Sequence, residues 1–454
     1  MRCDIKKILN NISLQSGLSN KGLKKYLSNF SWQIGDYIFS LTASLIVGIA
    51  VARYLGPEMY GIIAFATAVY AVSVIIVSLG IDDIIMKDMM QHAEKQGGIQ
   101  GSALFIKFAV AFIVYSITVI YCLINYNGDK LYSVLIIAGA VLFQPFSVFS
   151  CIFLINAQAK YTSIARMISY SLSSLLKVIL IIFKAPVIYF AFAVFIDYAV
   201  LYLTVILMYK YKNYTVSGWY IDIFYIKYIL KSAVPLFAAV FFYTFYQKIT
   251  VIFISSMYSD YASGIYSAAA RLTEIWYMVP AVLMTAFFPA IVKAKQISEE
   301  EYKKRIKTLF YVTTIPLILM ALFAALLSPF IIKILYGEKY IQSSIVLALT
   351  IWSVPFISFY VISSKCFIIE NKVKHLLFRS VLSFILIIIL NYILGSLYYL
   401  KGFSAAVLIS SFISFFLIDL FFKDTKHLFF IKLSSIFLPF IYILNLLKKE
   451  PNNP

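Results

Sequence analysis

A polytopic bundle of transmembrane α-helices, all-α in class, is what this sequence predicts, and three observations predict it. Of its 454 residues, 62% are hydrophobic and 13% charged, far from the balance of a soluble globular chain. The apolar residues fall into repeated runs of about 20, the length a helix needs to cross a hydrocarbon core. The basic residues, which give a formal net charge of +19, gather in alternate connections between those runs. Transmembrane barrels carry short segments of alternating polarity instead, and the sequence has none.

Taken in order, residues 1–29 form a basic segment with Ile5, Ile8, Leu9 and Ile12 on one helical face, expected to lie in the cytoplasmic interface. Six spans follow at 30–52, 60–82, 102–125, 131–155, 164–183 and 186–208, making a first lobe, 30–208. The first run ends in Ala50-Val51-Ala52, which imitates a signal-peptide cleavage site, but it is too long for a signal core and many spans follow it. Residues 209–231 connect the lobes. Their stretch KNYTVSGWYIDIFYIKYILK mixes aromatic residues with Lys227 and Lys231, as an amphipathic helix in the interface does. A second lobe, 232–427, holds spans at 232–256, 264–292, 308–328, 343–369, 375–397 and 402–422, bringing the count to twelve. The segment 428–454 contains a further apolar run, 428–447, interrupted by Lys432 and Pro439; it is either a thirteenth span or an interfacial helix.

Charge sets the orientation. Connections on the N-terminal side of the membrane hold 25 Lys and Arg, whereas the opposite loops hold six: Arg53, Lys130, Lys184, Lys333, Lys339 and Lys401. The N-terminus is therefore expected in the cytoplasm. A charge distribution that follows the membrane also excludes nucleic acid as the partner. The four cysteines and three histidines are scattered, with neither disulfide nor metal-ligand spacing, so no metal site and no cofactor is expected.

The two halves look related. VARYLGPEMYGIIAFATAV runs from the first span into the second, and SSMYSDYASGIYSAAARL from the seventh into the eighth; Tyr54 matches Tyr258, and Gly61-Ile62 matches Gly264-Ile265. Pseudo-symmetric repeats of this kind enclose a central cavity in many transporters.

With Arg166 and Arg379 counted to the connections they adjoin, five bases fall inside the runs: Lys107, Lys177, Lys248, Arg271 and Lys365. A base near a span end commonly snorkels to the headgroups, and that is the reading for Lys107 and Lys365. Lys177 lies deeper. Lys248 and Arg271 fall at matching depths on helices joined by a short loop, so facing one cavity they would form an anion site. Arginine's planar fork suits phosphate oxygens. Glu274, one turn from Arg271, either neutralises it as a structural pair or serves ion coupling, as Asp36 and Asp197 would.

With those residues in view, the chain resembles the polysaccharide transporter family, the bacterial O-antigen and lipid-linked oligosaccharide flippases of the Wzx type. The marks are ARYLGPEMYG at 52–61, LGIDDIIMKDM at 79–89, GIYSAAARLTEIWYMVP at 264–280 followed by FFPAIVKAKQ, and LYGEKYIQSS at 335–344. The resemblance implies a two-lobed fold of the multidrug, oligosaccharidyl-lipid and polysaccharide exporter superfamily. It also implies alternating access in the inner membrane and a cationic cavity for an undecaprenyl-pyrophosphate-linked oligosaccharide. Carried onto this chain, the substrate-binding positions are Arg53, Lys248 and Arg271 with Glu274, and Lys177 joins them as a further cavity base. Coupling to H+ or Na+, and association with a polysaccharide polymerase complex during lipopolysaccharide synthesis, are further expectations. Two departures stand out: Thr250 occupies a position that is acidic in many relatives, and the first span has no base between Asp36 and Arg53.

Two other functions were weighed. A membrane polymerase or ligase needs a positioned acid or base and a sizeable outer loop, and the outer loops here are short. A drug or metabolite antiporter of the same fold would favour acids over bases inside the membrane, whereas, apart from Arg166, Arg379, Asp82 and Asp419 near span ends, the runs hold five bases and three acids. A flippase, not an enzyme, is the expected function.

Overall fold

The computed structural model describes residues 20–370 and 372–448. The interfacial helix expected within 1–29 lies outside the described residues as far as residue 19. What is described is helical, with no strand. In chain order the helices are α1 (Asn20–Ser78), α2 (Asp82–Gln91), α3 (Gln96–Asn125), α4 (Gly128–Gly139), α5 (Val148–Ile155), α6 (Ala159–Ile182), α7 (Val187–Tyr211) and α8 (Ile223–Met257). Then come α9 (Asp260–Glu274), α10 (Met278–Ile297), α11 (Glu299–Leu326), α12 (Ser328–Tyr336), α13 (Ser343–Thr350), α14 (Ser353–Ile369), α15 (Val373–Phe415) and α16 (Lys426–Lys448).

Among the described residues, eight helical stretches are long and apolar enough to cross a membrane, or up to ten if each of two bent pairs counts as one span. The difference from twelve arises where two stretches, 31–91 and 373–420, each run through what the sequence divides into two spans. Within them, α1 and α15 are each broken once, and Leu79 and Gly80, at φ 52° and 63°, separate α1 from α2. Gly56 sits at φ 74° before Pro57, where proline disfavours a helical neighbour and glycine accepts a positive φ. Tyr399 sits at φ 53° and leaves helical geometry in α15.

The chain divides into two compact units, residues 1–51 with 73–234, and residues 52–72 with 235–454. Residues 52–72, placed by sequence in the first lobe, thus pack in the second unit.

In the first unit, Ile81 and, on α2, Ile85 and Met89 pack with Phe149 and Phe153 of α5 and Tyr209 of α7. The connection expected as an interfacial helix takes another form. Residues 213–222 are a non-helical strap that begins at Asn213 with φ 59°, and α8 then runs unbroken from Ile223. The cause is close packing on α3: a Cβ at Gly97 would lie 2.1 Å from the Gly218 carbonyl oxygen, and one at Gly101 would lie 2.4 Å from that of Tyr220. Strap backbone occupies the space that side chains would fill. Asp222 then caps α8, its Oδ1 accepting from the Phe224 and Tyr225 amides at 2.9 and 3.1 Å.

Lys107 does not snorkel. It is fully buried, with its Nζ 2.5 Å from Asp82 and 2.8 Å from the Ser147 hydroxyl, because the start of α2 brings a carboxylate within reach of α3. Asp82→Asn is expected to lower stability by about 1–3 kcal/mol, since the ammonium keeps a neutral partner only. Adding Lys107→Met should restore it. Thermal unfolding in detergent checks both, and an unchanged midpoint for the single variant would refute the pair's importance. Lys365, by contrast, is exposed, as expected.

In the second unit the matched glycines of the two repeats meet. A Cβ on Gly61 would lie 1.8 Å from the Asp260 carbonyl oxygen, and one on Gly264 the same distance from that of Pro57. Each glycine therefore accepts the carbonyl of the residue four positions before its counterpart. That reciprocity is what related repeats crossing at small residues produce. The same seam is closed by the Tyr340 hydroxyl donating to the Ala52 carbonyl at 2.8 Å, and by Ser343 donating to the Ile265 carbonyl at 2.6 Å. Three of the four motifs noted in the sequence thus converge in one place.

The second unit also buries charges that the sequence reading left elsewhere. Arg379, counted among loop bases, and Lys432, in the C-terminal run, both pair with Asp419, and all three side chains are buried. Lys432 also donates to the Phe415 carbonyl at 2.9 Å, and the Arg379 guanidinium lies over the Phe367 ring at 4.3 Å. Lys432 therefore faces the core of this unit. Alongside it, Ser434 meets Tyr311 at 2.9 Å, docking α16 on α11.

Candidate functional site

Lys248 and Glu274 meet near the break that follows α9. Glu274 ends that helix, and a single 3₁₀ turn, Ile275–Tyr277, precedes α10. The Lys248 ammonium on α8 donates to both Glu274 oxygens, at 2.8 and 2.9 Å, with both side chains partly accessible. Arg271, one turn earlier, lies among phenols: it hydrogen-bonds Tyr60 and sits beside Tyr336. The structural pair considered from the sequence is therefore differently composed. Glu274 is bound to Lys248 and acts on Arg271 only at a distance. Two bases and one carboxylate leave the cluster with a net positive charge.

Hydroxyls surround it. Beside Glu274 is a cavity of about 20 Å³ lined by Tyr246, Tyr266, Thr273, Tyr277 and Thr350 among others, room for roughly one water. Thr273 and Thr350 share a hydrogen bond at 3.0 Å, and Tyr277 and Ser353 another at 3.2 Å. Such a wall offers donors and acceptors without further charge.

The other candidates make contacts of their own. Arg53 is exposed and donates to the Ile334 carbonyl at 3.1 Å, near the end of α12, where a cation also suits the helix dipole. In the first unit, Asp197 accepts from the Ser169 hydroxyl and lies within the electrostatic reach of Lys177. Asp36, also there, is buried, accepts from Ser40 at 3.1 Å and lies 3.6 Å from the Arg166 guanidinium. Each of the three acidic candidates thus has a basic neighbour. Thr250, the departure noted in the seventh span, is buried and accepts from the Asn391 amide at 3.0 Å, a neutral pair where an acid was looked for.

Several participants escaped the sequence reading. Tyr60 and Tyr336 carry no charge and look like ordinary span residues, and their only signal was membership of the motifs at 52–61 and 335–344. Arg166 looked like a loop base. Nothing local marks Asp419 as its partners' counter-ion.

Solved structures share this architecture. A lipid II flippase, MurJ, in its inward closed conformation matches with a TM-score of 0.69 at 17% identity, covering 93% of each chain. An inward-facing multidrug resistance MATE transporter matches at 0.62 with 13% identity, over 82% of this chain and 93% of that one. The eukaryotic MATE transporter AtDTX14 matches at 0.62 with 13% identity, over 90% and 99%. These are flippases and transporters, not enzymes. No curated protein matches in sequence. The family model described as polysaccharide biosynthesis protein matches residues 50–345, which include the Gly61–Gly264 crossing, Lys248, Arg271 and Glu274. With that match over most of its length, this multi-pass membrane chain belongs to the polysaccharide biosynthesis protein family.

Proposed function

We propose that this protein is a flippase that moves undecaprenyl-pyrophosphate-linked oligosaccharide repeat units across the bacterial cytoplasmic membrane, with its N-terminus in the cytoplasm. The observation that carries the proposal is the Lys248–Glu274–Arg271 cluster: an ion pair with a second base one turn away, within apolar helices, amid hydroxyl groups. Cations held within apolar helices favour an anionic visitor. A diphosphate supplies one. Its oxygens compete with Glu274 for Lys248 and engage the Arg271 fork, while the polyprenyl tail stays in lipid. Glu274 is then the carboxylate through which H+ or Na+ would act, because neutralising it releases Lys248. Association with a polysaccharide polymerase belongs to the same proposal. Family membership and the flippase-type fold support it.

Transport of a labelled lipid-linked sugar in reconstituted vesicles tests this. Arg271→Ala and Lys248→Ala are each expected to slow translocation at least tenfold, equivalent to about 1.4 kcal/mol of barrier. The charge-neutral double variant Lys248→Met/Glu274→Met separates roles. A purely structural pair predicts that it regains transport; an anion site predicts that it folds and stays slow. Wild-type rates in both alanine variants would overturn the proposal, and ion-driven efflux of cationic dyes would favour an antiporter.

A further inference from the structure

A second cavity, of about 290 Å³, lies in the first unit between α2, the start of α3 and the strap leading into α8. Asp88, Asp222, Lys95, Tyr220, Tyr225 and Tyr228 are among its lining residues. None of them belongs to the cluster described above. The cavity sits where the chain leaves its apolar spans: its lining residues on α3 and α8 precede the apolar runs that begin at 102 and 232. That is headgroup level, where tyrosines concentrate.

Tyr225 organises the acids. Its amide donates to Asp222 Oδ1 at 3.1 Å and its hydroxyl to Asp88 Oδ2 at 2.9 Å. Burial first, and the Asp88 hydrogen bond next, hold that phenol well above its usual range, so it remains a donor. Each carboxylate spends one oxygen on this frame. Each carboxylate thus keeps a second oxygen as an acceptor, and Asp88 is only 5% exposed. Two acceptors with aromatic faces around them call for a cation that carries N–H groups. A primary ammonium has three such donors, whereas a quaternary ammonium has none and attracts only through its charge. Lys95 adds a positive group to the same lining, suited to a phosphate.

We infer that this cavity binds the headgroup of an aminophospholipid of the phosphatidylethanolamine class, with ammonium on the Asp88 and Asp222 carboxylates and phosphate toward Lys95. The volume suits a headgroup and falls just below the range of drug-sized ligand sites. Acyl chains would remain in the bilayer. Phosphatidylglycerol lacks the cation and phosphatidylcholine lacks the N–H donors, so neither satisfies the carboxylates.

The test is lipid retention by the full chain, measured by native mass spectrometry after exchange into phosphatidylethanolamine, phosphatidylcholine or phosphatidylglycerol of identical acyl composition. The wild type should retain phosphatidylethanolamine at least tenfold better than the other two. Asp88→Asn keeps an acceptor for Tyr225 and should erase that preference; Tyr228→Ala, which removes an aromatic wall, should weaken it. Asp129→Asn, outside the cavity, should leave it intact. Equal retention of the three lipids by the wild type would overturn the inference. An undiminished preference in both Asp88→Asn and Tyr228→Ala would do the same.

Discussion

Replacing Asp419 by asparagine is expected to destabilise the second unit by about 3–5 kcal/mol, the cost of stranding buried charge. Asp419 is the shared anion of two cations, Arg379 and Lys432, and all three side chains are shut away from solvent. Asparagine retains a carbonyl for one of them but no charge for either. What remains is two like charges in a dry interior, which repel each other and lack water. The loss should show as a lower unfolding temperature in detergent, by on the order of 10 °C for a unit of this size. It should also show as earlier proteolysis of α16, since Lys432 holds that helix through Asp419 and the Phe415 carbonyl. The triple replacement Arg379→Met, Asp419→Leu and Lys432→Met removes every charge together and should recover most of the stability, as apolar substitutes for buried ionic groups often do. An unchanged midpoint for Asp419→Asn would mean that the two bases find other anions.

Gly264→Val is the second large effect. Even the first carbon of the new side chain would lie 1.8 Å from the Pro57 carbonyl oxygen, and Gly61→Val meets the Asp260 carbonyl at the same distance. Backbone has no rotamer to yield, so the two helices must part by about 1 Å or more to recover van der Waals separation. Overpacking of this kind costs about 1–3 kcal/mol, and more where several contacts share the seam. Here they do: the Tyr340–Ala52 bond, the Arg53–Ile334 bond and the Tyr60 partner of Arg271 all depend on residues 52–72 staying seated. Both variants are expected to lose thermal stability and to slow translocation, because Arg271 loses its phenol neighbours. Gly35→Ala provides the control, since no atom lies within 4 Å of its added carbon. It should be neutral or slightly stabilising, as alanine for glycine in a helix usually is. Wild-type behaviour of Gly264→Val would show that the crossing is looser than its geometry.

Much of the architecture was legible because its cause is local. A run of about 20 apolar residues must be helical in lipid whatever its neighbours are, and alternating base content reports sidedness in the same context-free way. The matched Gly61 and Gly264 were visible as a repeat for a similar reason: two helices that cross closely need small residues at the crossing, and the need is written into each strand of sequence separately. Lys248, Arg271 and Glu274 stood out because ionisable groups in an apolar run are rare.

Pairings were another matter. Sequence offered Glu274 to Arg271 one turn away, but the carboxylate reaches Lys248 on a different helix at 2.8 Å, and Arg271 turns to Tyr60, more than two hundred positions earlier. Lys107 looked like a snorkelling base until α2 supplied Asp82, and Arg379 looked like a loop residue until Asp419 and Lys432 enclosed it. The amino-acid order by itself determined which segments are apolar enough to cross a membrane, which residues carry charge there and where helices can approach. Only the tertiary structure decided which charge answers which. Spanning is a property of one segment and its solvent, whereas a buried ion pair exists only when packing brings two distant segments within a few ångströms and excludes the water that would otherwise have served both.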